Sequence, residues 1–431
     1  MAKINIGLIG FGNVGSGVVK ILRERRSLLT SKTGLEICIK KICDKDLNSR
    51  RAISVDKNLL TRDVREIIND PQIDIVVELI GGIHPAKEYI IEALKKGKNI
   101  VTANKALLAC EGKELFTLAQ DRGKNIYFEA SVGAGIPIIK ALKEGLVANR
   151  FNSIFGIVNG TSNFILSQMS GTKCSFHDAL NEAKAKGFAE SDPTLDIEGI
   201  DSAHKLILLT YLCFGQMIDM KDIFIEGISR ISLSDINYAQ ELGFQIKLLA
   251  IAKREEDALE VRVHPTLISQ DNLLSSVLGV GNAIYVSSDL AGELLFYGPG
   301  AGQMSAASAV LADLVDLAQD IKAGLFRPTL NTVLDSSVRK LRKIDDSQGR
   351  YYIRFMALDK PGVLAKISGI LAKSKISIAS VSQKERRKAQ IVPIVMIIHD
   401  AVEKDLRSAL DHIDRLDIIK EKSVAIRIEE V

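Results

Sequence analysis

The chain has 431 residues, 46% of them apolar and 26% charged, a composition that excludes disorder and gives roughly two or three domains of ordinary size. Its net charge of +4 is small, and the basic residues are scattered with only short clusters such as KERRK at 384–388, so no footprint for nucleic acid is present. The five cysteines, Cys38, Cys43, Cys110, Cys174 and Cys213, are odd in number and lack C-x-x-C spacing, which reads as reduced, mostly buried thiols.

No basic leader precedes the first apolar run, and no apolar run reaches the roughly 18 residues that a membrane span needs; the expectation is a cytoplasmic protein without a membrane or nucleic-acid partner. Residues 3–10, KINIGLIG, read as a buried parallel strand, followed by GFGNVG and an amphipathic helix. Gly10, Gly12 and Gly15 form G-x-G-x-x-G. The first permits a tight turn, the second lets backbone approach a pyrophosphate, and the third lets helix pack on strand. With Phe11, Asn13 and Val14 they form the expected cofactor loop, with the helix N-terminus as its anion site.

The next strand, 36–42, runs into CDKD. Asp44 or Asp46 there suits a ribose hydroxyl, while Lys45, Arg50 and Arg51 suit a 2′-phosphate, so NAD and NADP both stay open. A helix near 61–69, an apolar strand 73–80, the turn GGIHP, a helix 86–96 and a strand 99–102 continue a parallel α/β alternation. His84 in that turn reads as a hydrogen-bonded loop residue, with no second histidine or cysteine at zinc-ligand spacing. Lys105 follows a strand's carboxyl end, where open α/β sheets place ligands, and at a helix start its charge opposes the helix dipole, which favours a working role.

A last strand of the nucleotide domain is expected at 127–130, leading into SVGAGIPII. Glu129 with carbonyls of that irregular turn suits a hard cation, and a plain domain hinge fits the spacing equally. After a strand at 151–158, NGTSN offers Asn159, Thr161 and Ser162 as caps of the following helix or as hydrogen-bond partners of a polar substrate, capping being the favoured reading. The run 183–205, AKAKGFAESDPTLDIEGIDSAHK, is dense in acids. Pro193 can open a helix with Asp192 or Thr194 as cap, and Asp201 and Lys205, four apart, share a helix face approached by Glu190 and Asp196. A lysine among carboxylates can move protons; the blander alternative is a surface ion pair. The glycine turn at 298–303, with Gly302 before a small-residue helix, reads as a second backbone approach to a ligand.

Residues 326–349 have a linker's composition. Beyond them the order βαββαβ in about 80 residues is that of a ferredoxin-like module, expected to stand as a small independent unit. The division is thus 1–130 nucleotide domain, 131–325 substrate and dimerisation domain, 326–349 linker and 350–431 C-terminal module, in an α/β chain with an α+β middle.

The series Ala183-x3-Gly187-Phe188, Asp192-Pro193, Asp196, Gly199, Asp201 and Lys205, with NGTSN at 159–163 and EASVGAGIP at 129–137, resembles the homoserine dehydrogenases of the monofunctional type over the whole length, with no kinase ahead of the dehydrogenase. The C-terminal module resembles an ACT domain, with DKPGVL at 359–364 as its first strand-to-helix loop. The resemblance implies a Rossmann nucleotide domain and reversible NAD- or NADP-dependent reduction of L-aspartate 4-semialdehyde to L-homoserine. Lys205 matches the family's acid/base lysine, Lys105 its other active-site lysine and Glu190 the ligand of the substrate's amino group. Asp196 and Asp201 complete the polar pocket. Glu129 with the carbonyls of Val132, Ala134 and Ile136 matches a monovalent-cation site, for which sodium is expected. An L-threonine effector on the ACT module and a homodimer or homotetramer are implied by analogy. A related amino-acid dehydrogenase and a non-catalytic nucleotide or amino-acid sensor are the competing readings.

Overall fold

The computed structural model describes residues 2–49, 51, 53–328, 340–383 and 390–431. Arg50, the cluster at 384–388 and the middle of the 326–349 segment lie outside them. The chain divides into two compact units, one of Met1–Asn152, Ala203–Lys221 and Asn282–Ser336, the other of Ser153–Ser202, Asp222–Gly281 and Ser337–Val431.

In the first unit β1 (Ala2–Ile9), β2 (Leu35–Cys43), β3 (Leu60–Thr61), β4 (Ile75–Glu78), β5 (Asn99–Thr102) and β6 (Ile126–Tyr127) form a sheet in the order β3-β2-β1-β4-β5-β6, every pair parallel. The apolar runs become strands because helices are joined to them by crossovers: α1 (Asn13–Glu24), α2 (Arg26–Thr33), α3 (Arg65–Ile68), α4 (Ala86–Lys95) and α5 (Lys105–Asp121). The expected strand at 127–130 stops at Tyr127. Glu129 begins a single turn instead, because its carboxylate caps the one-turn helix α6 (Ile138–Lys140), accepting from the amides of Ile139 and Lys140.

The second unit begins with β7 (Phe151–Ile157), α7 (Gly160–Thr172), α8 (Phe176–Ala185) and α9 (Thr194–Ile197). Asp192 accepts from the Thr194 amide and hydroxyl in the turn ahead of α9, whose N-cap residue is Pro193 and which has no side-chain cap. The single helix expected from Pro193 is broken at Gly199, which has φ +82° and packs against Val263 and Ile225; α10 (Ile200–Phe214) starts after it and continues into the first unit. Then come β8 (Phe224–Ile225), α11 (Leu233–Glu241), β9 (Phe244–Glu255) and β10 (Ala258–Ser269). The first unit adds β11 (Gly281–Ser288), β12 (Gly292–Pro299) and α12 (Gln303–Ala323), and α12 lies so close to α1 that a Cβ on Gly17 would be 3.0 Å from Ala307. Ile6, Leu8, Val18, Leu22, Val77, Val310 and Leu314 share the resulting core.

The second unit closes with β13 (Lys340–Leu341), β14 (Gln348–Leu358), α13 (Val363–Lys373), β15 (Ile378–Ser382), β16 (Ile391–Val402), α14 (Glu403–Asp414) and β17 (Val424–Ile428). From β14 onward the order is the βαββαβ expected, with strands ordered β17-β14-β16-β15 and a core of its own that includes Phe355, Ile367, Ile394 and Leu406. It is not a separate module, however. β17 pairs in parallel with β10, and Arg354 of β14 binds both oxygens of Asp235 at the start of α11, at 2.7 and 3.1 Å. Of the cysteines, all are free, but only Cys43 is buried and Cys110 is exposed.

Asp235 is fully buried and Arg354 nearly so. Arg354→Met should therefore leave a carboxylate without its cation and lower stability by about 3–5 kcal/mol, measured as a shift in the denaturant midpoint at unchanged slope.

Candidate active site

The glycine loop has the geometry its spacing demands. Gly10 has φ +100° and a Cβ there would meet the Leu79 carbonyl oxygen at 2.7 Å; a Cβ on Gly15 would meet the Gly10 oxygen at 2.1 Å, and Gly12 faces open space. No side chain caps α1, so the amides of its first turn at Asn13, Val14 and Gly15 are directed at whatever approaches Gly12. Phe11 donates its amide to Asp44 at 2.6 Å, and the other Asp44 oxygen accepts from the Asp46 amide. Arg51 donates to the Phe11 carbonyl at 2.6 Å and stacks over its ring at 4.8 Å. Asp44 and Arg51 thus brace the loop from the end of β2, while Asp46 turns aside to bond Asn48 and Ser49.

Gly302 comes to the same place. It precedes α12 without a side-chain cap, and the side chain of the next residue, Gln303, donates through Nε2 to the Asn13 carbonyl and the Ser16 hydroxyl at 3.0 Å each. Two uncapped helix N-termini therefore meet at the glycine loop, a concentration of positive dipole ends.

Lys105 is the first residue of α5, half-buried at the carboxyl end of β5. A chain of hydrogen bonds that sequence reasoning did not single out sets its backbone. The Thr102 hydroxyl donates to Glu78 at 2.7 Å and accepts from the Asn104 amide; the Asn104 side chain donates to the Gly82 carbonyl and caps α5 at Leu107. Glu78 has no exposed surface, and burial pushes its carboxyl up from the usual range. The signal was an acid inside the apolar run IVVELI and an asparagine just before the lysine. His84 is the exposed loop residue expected, bonded to Glu88 at 2.6 Å.

In the second unit, Asn159 organises the acid-rich run. Its Oδ1 caps α7 by accepting from Ser162, as expected, and its Nδ2 donates to Asp196 at 2.7 Å and to Asp201 at 2.9 Å. Ser162 donates to the Asp196 carbonyl and Thr161 to that of Phe188. The amide of Asn159 thus lies between two carboxylates, a role its place as a helix cap had concealed. Asp201, 7% exposed, stands on α10 one turn before Lys205, 8% exposed, which removes both from the surface ion-pair class. Glu190 is brought to neither aspartate; it stands exposed in its loop with no hydrogen-bond or ion-pair partner among the described residues.

Glu129 is 5% exposed, and burial raises its pKa against the lowering effect of the two amides it caps. Its own amide donates to Asp313 at 2.8 Å. The loop beyond turns through two left-handed residues, Gly133 at φ 69° and Ala134 at φ 45°, between Val132 and Ile136, which are buried. A carboxylate beside a backbone bent in this way is an oxygen-rich donor set, though the Ile136 carbonyl also accepts from Ile138. Among the described residues no group of three or more His, Cys, Asp or Glu could hold a metal ion, and no helix is long and apolar enough to cross a membrane.

Known proteins resemble this chain over its full length. Residues 10–129 match the family profile "Homoserine dehydrogenase, NAD binding domain", 137–315 match "Homoserine dehydrogenase" and 351–417 match "ACT domain". A homoserine dehydrogenase of Neisseria gonorrhoeae is 42% identical, with all of both chains covered. The crystal structure of a homoserine dehydrogenase from Thiobacillus denitrificans is 44% identical, with a TM-score of 0.92 over 100% of this chain and 99% of that one. A hyperthermophilic archaeal homoserine dehydrogenase, solved in complex with NADPH, is 28% identical with a TM-score of 0.63, all of it matching 75% of this chain. The chain belongs to the homoserine dehydrogenase family, NAD(P)-dependent oxidoreductases that interconvert L-homoserine and L-aspartate 4-semialdehyde, and carries a Rossmann nucleotide-binding domain and a C-terminal ACT domain.

Proposed function

We propose that Lys205 is the acid/base of this reaction and Lys105 the second cation at the reacting oxygen, with Asp196, Asp201 and Glu190 forming the pocket for the substrate's polar groups. The observation that carries this reading is the Asn159 amide bonded to both Asp196 and Asp201, with Lys205 buried one turn along the same helix. Two carboxylates held at one point suit an ammonium group. In the oxidative direction Lys205, neutral, takes the hydroxyl proton of homoserine; in the reductive direction it returns that proton to the alkoxide oxygen, and Lys105 stabilises the same negative charge. Glu190 stands apart from the two aspartates, and its place in the pocket rests on the family motif it matches.

NAD(P) suits the loop Gly10, Phe11, Gly12, Asn13, Val14 and Gly15, with Gly302 and Lys105 beside it, and when bound it supplies the hydride acceptor. Glu129 with the carbonyls of Val132, Ala134 and Ile136 is read as a monovalent-cation site, sodium by preference. L-threonine is the proposed effector, bound between ACT modules of a homodimer or homotetramer, and a cytoplasmic location is proposed with it. The functional division proposed for the chain is 1–130, 131–325, 326–349 and 350–431, a partition by role that differs from the two compact units.

Lys205→Ala is expected to lower kcat by about 10²–10³ while the dissociation constant for NADP⁺ is kept; normal turnover in that variant would assign the proton to another group. Gly15→Ala should strain the loop by about 1–3 kcal/mol and weaken cofactor binding roughly five- to a hundredfold by fluorescence titration. Initial rates with L-homoserine and each cofactor, with and without sodium and L-threonine, should show activation by the cation and inhibition by the amino acid. A preference for another amino acid would favour the related-dehydrogenase reading, and cofactor binding without turnover of any substrate the sensor reading.

A further inference from the structure

Lys247 of β9 is 1% exposed, yet neither of its hydrogen-bond partners is a carboxylate: Nζ donates to the Val277 carbonyl and, at 3.3 Å, to Asn163 Oδ1. Burial alone pushes its pKa down to about 8. A buried amine with no counter-ion among the described residues is costly where an aliphatic residue would fill the space, so the position calls for its donors. Those donors act on a turn. Asn163 Nδ2 lies 3.1, 3.0 and 3.2 Å from the carbonyls of Val277, Gly279 and Gly281, and the Gly279 amide donates to Ser167. The turn in turn bears on the first residue of α7: a Cβ on Gly160 would be 3.0 Å from the Val280 carbonyl oxygen. Gly160 is bonded in sequence to Asn159, whose amide holds Asp196 and Asp201.

We infer that Lys247 is a positioning residue for the substrate pocket: with Asn163 it clamps the 277–281 turn against Gly160 and thereby fixes the Asn159 amide between the two aspartates. The inference rests on the assignment of Asp196 and Asp201 to the substrate. Lys247→Met keeps the aliphatic stem and removes the donors. It should raise KM for L-homoserine roughly tenfold, the scale of one unmade buried hydrogen bond, with kcat and KM for NADP⁺ within about twofold of the parent. Asn163→Asp, which retains an acceptor for Lys247 and loses the amide donors, should give the same selective rise. The double variant should be less than additive, since both act through one turn. If Lys247→Met fails to fold, Asn163→Asp decides alone. An unchanged KM for homoserine, or equal losses for homoserine and cofactor, overturns the role. Asp201→Asn separates the two readings. An unchanged KM in that variant overturns the pocket and this inference with it, whereas a raised KM there beside an unchanged one in Lys247→Met overturns the positioning role only.

Discussion

Strand β10 is the joint on which the second unit is built. Along one edge it pairs with β9 over its full length, and along the other it accepts three separate segments in parallel: β13 at Ala258 and Leu259, β8 at Arg262 and Val263, and β17 at Thr266 and Leu267. A strand enclosed in this way has no solvated face, and its alternating polar residues Glu260, Arg262, His264 and Thr266 are all buried. Several of them find partners, some on distant segments: Arg262 pairs with Glu260 on its own strand and with Glu429, and Ser347 donates to Glu260 at 2.9 Å, while Arg262 Nε and His264 Nε2 have no hydrogen-bond partner among the described residues. His264 is held far below its ordinary pKa by burial and by the charges of Arg427 and Arg262, so it serves as a neutral ring. Such polar contacts contribute more to the choice of partner segment than to net stability, because wrong partners would leave charges unpaired.

From this joint the pocket residues are reached in short steps. β8 hydrogen-bonds to β10, and the residues after it run against α9: Ile228 donates to the Ile197 carbonyl at 2.8 Å, and a Cβ on Gly227 would come within 2.4 Å of that oxygen. Glu226, one residue earlier, pairs with Arg427 of β17 at 3.0 Å, and Arg427 also binds Glu403 at the start of α14. Asp196 is therefore two hydrogen-bonded segments away from the ACT domain's own ion pairs.

Much of this was legible in the sequence because it rests on local rules. The glycine loop, the parallel alternation and the βαββαβ order follow from spacing and period, and Lys105, Asp201 and Lys205 were singled out by position or by sharing a helix face. What was hidden depends on partners far along the chain. Glu78 is recognisable as a structural acid only beside Thr102, and Asn159 as a bridge only once Asp196 and Asp201 fold back onto it. The break at Gly199 is set by Val263 and Ile225, more than 20 residues away, which no helical period records. The fusion of the ACT domain with β10 escaped for the same reason: strand pairing between residues 266 and 427 leaves no mark in either segment.

The enclosure of β10 also sets a problem in time. During synthesis β10 leaves the ribosome with β9 and can form its hairpin at once, but the Thr266–Leu267 stretch of its opposite edge waits for β17, the last strand among the described residues. Until then a buried-type strand presents unpaired amides and carbonyls beside apolar residues, the configuration most apt to capture another nascent chain. Translation that halts short of residue 424 would leave the Thr266–Leu267 stretch of that edge unpaired, so incomplete products are expected to be substrates for chaperones and proteases rather than silent fragments.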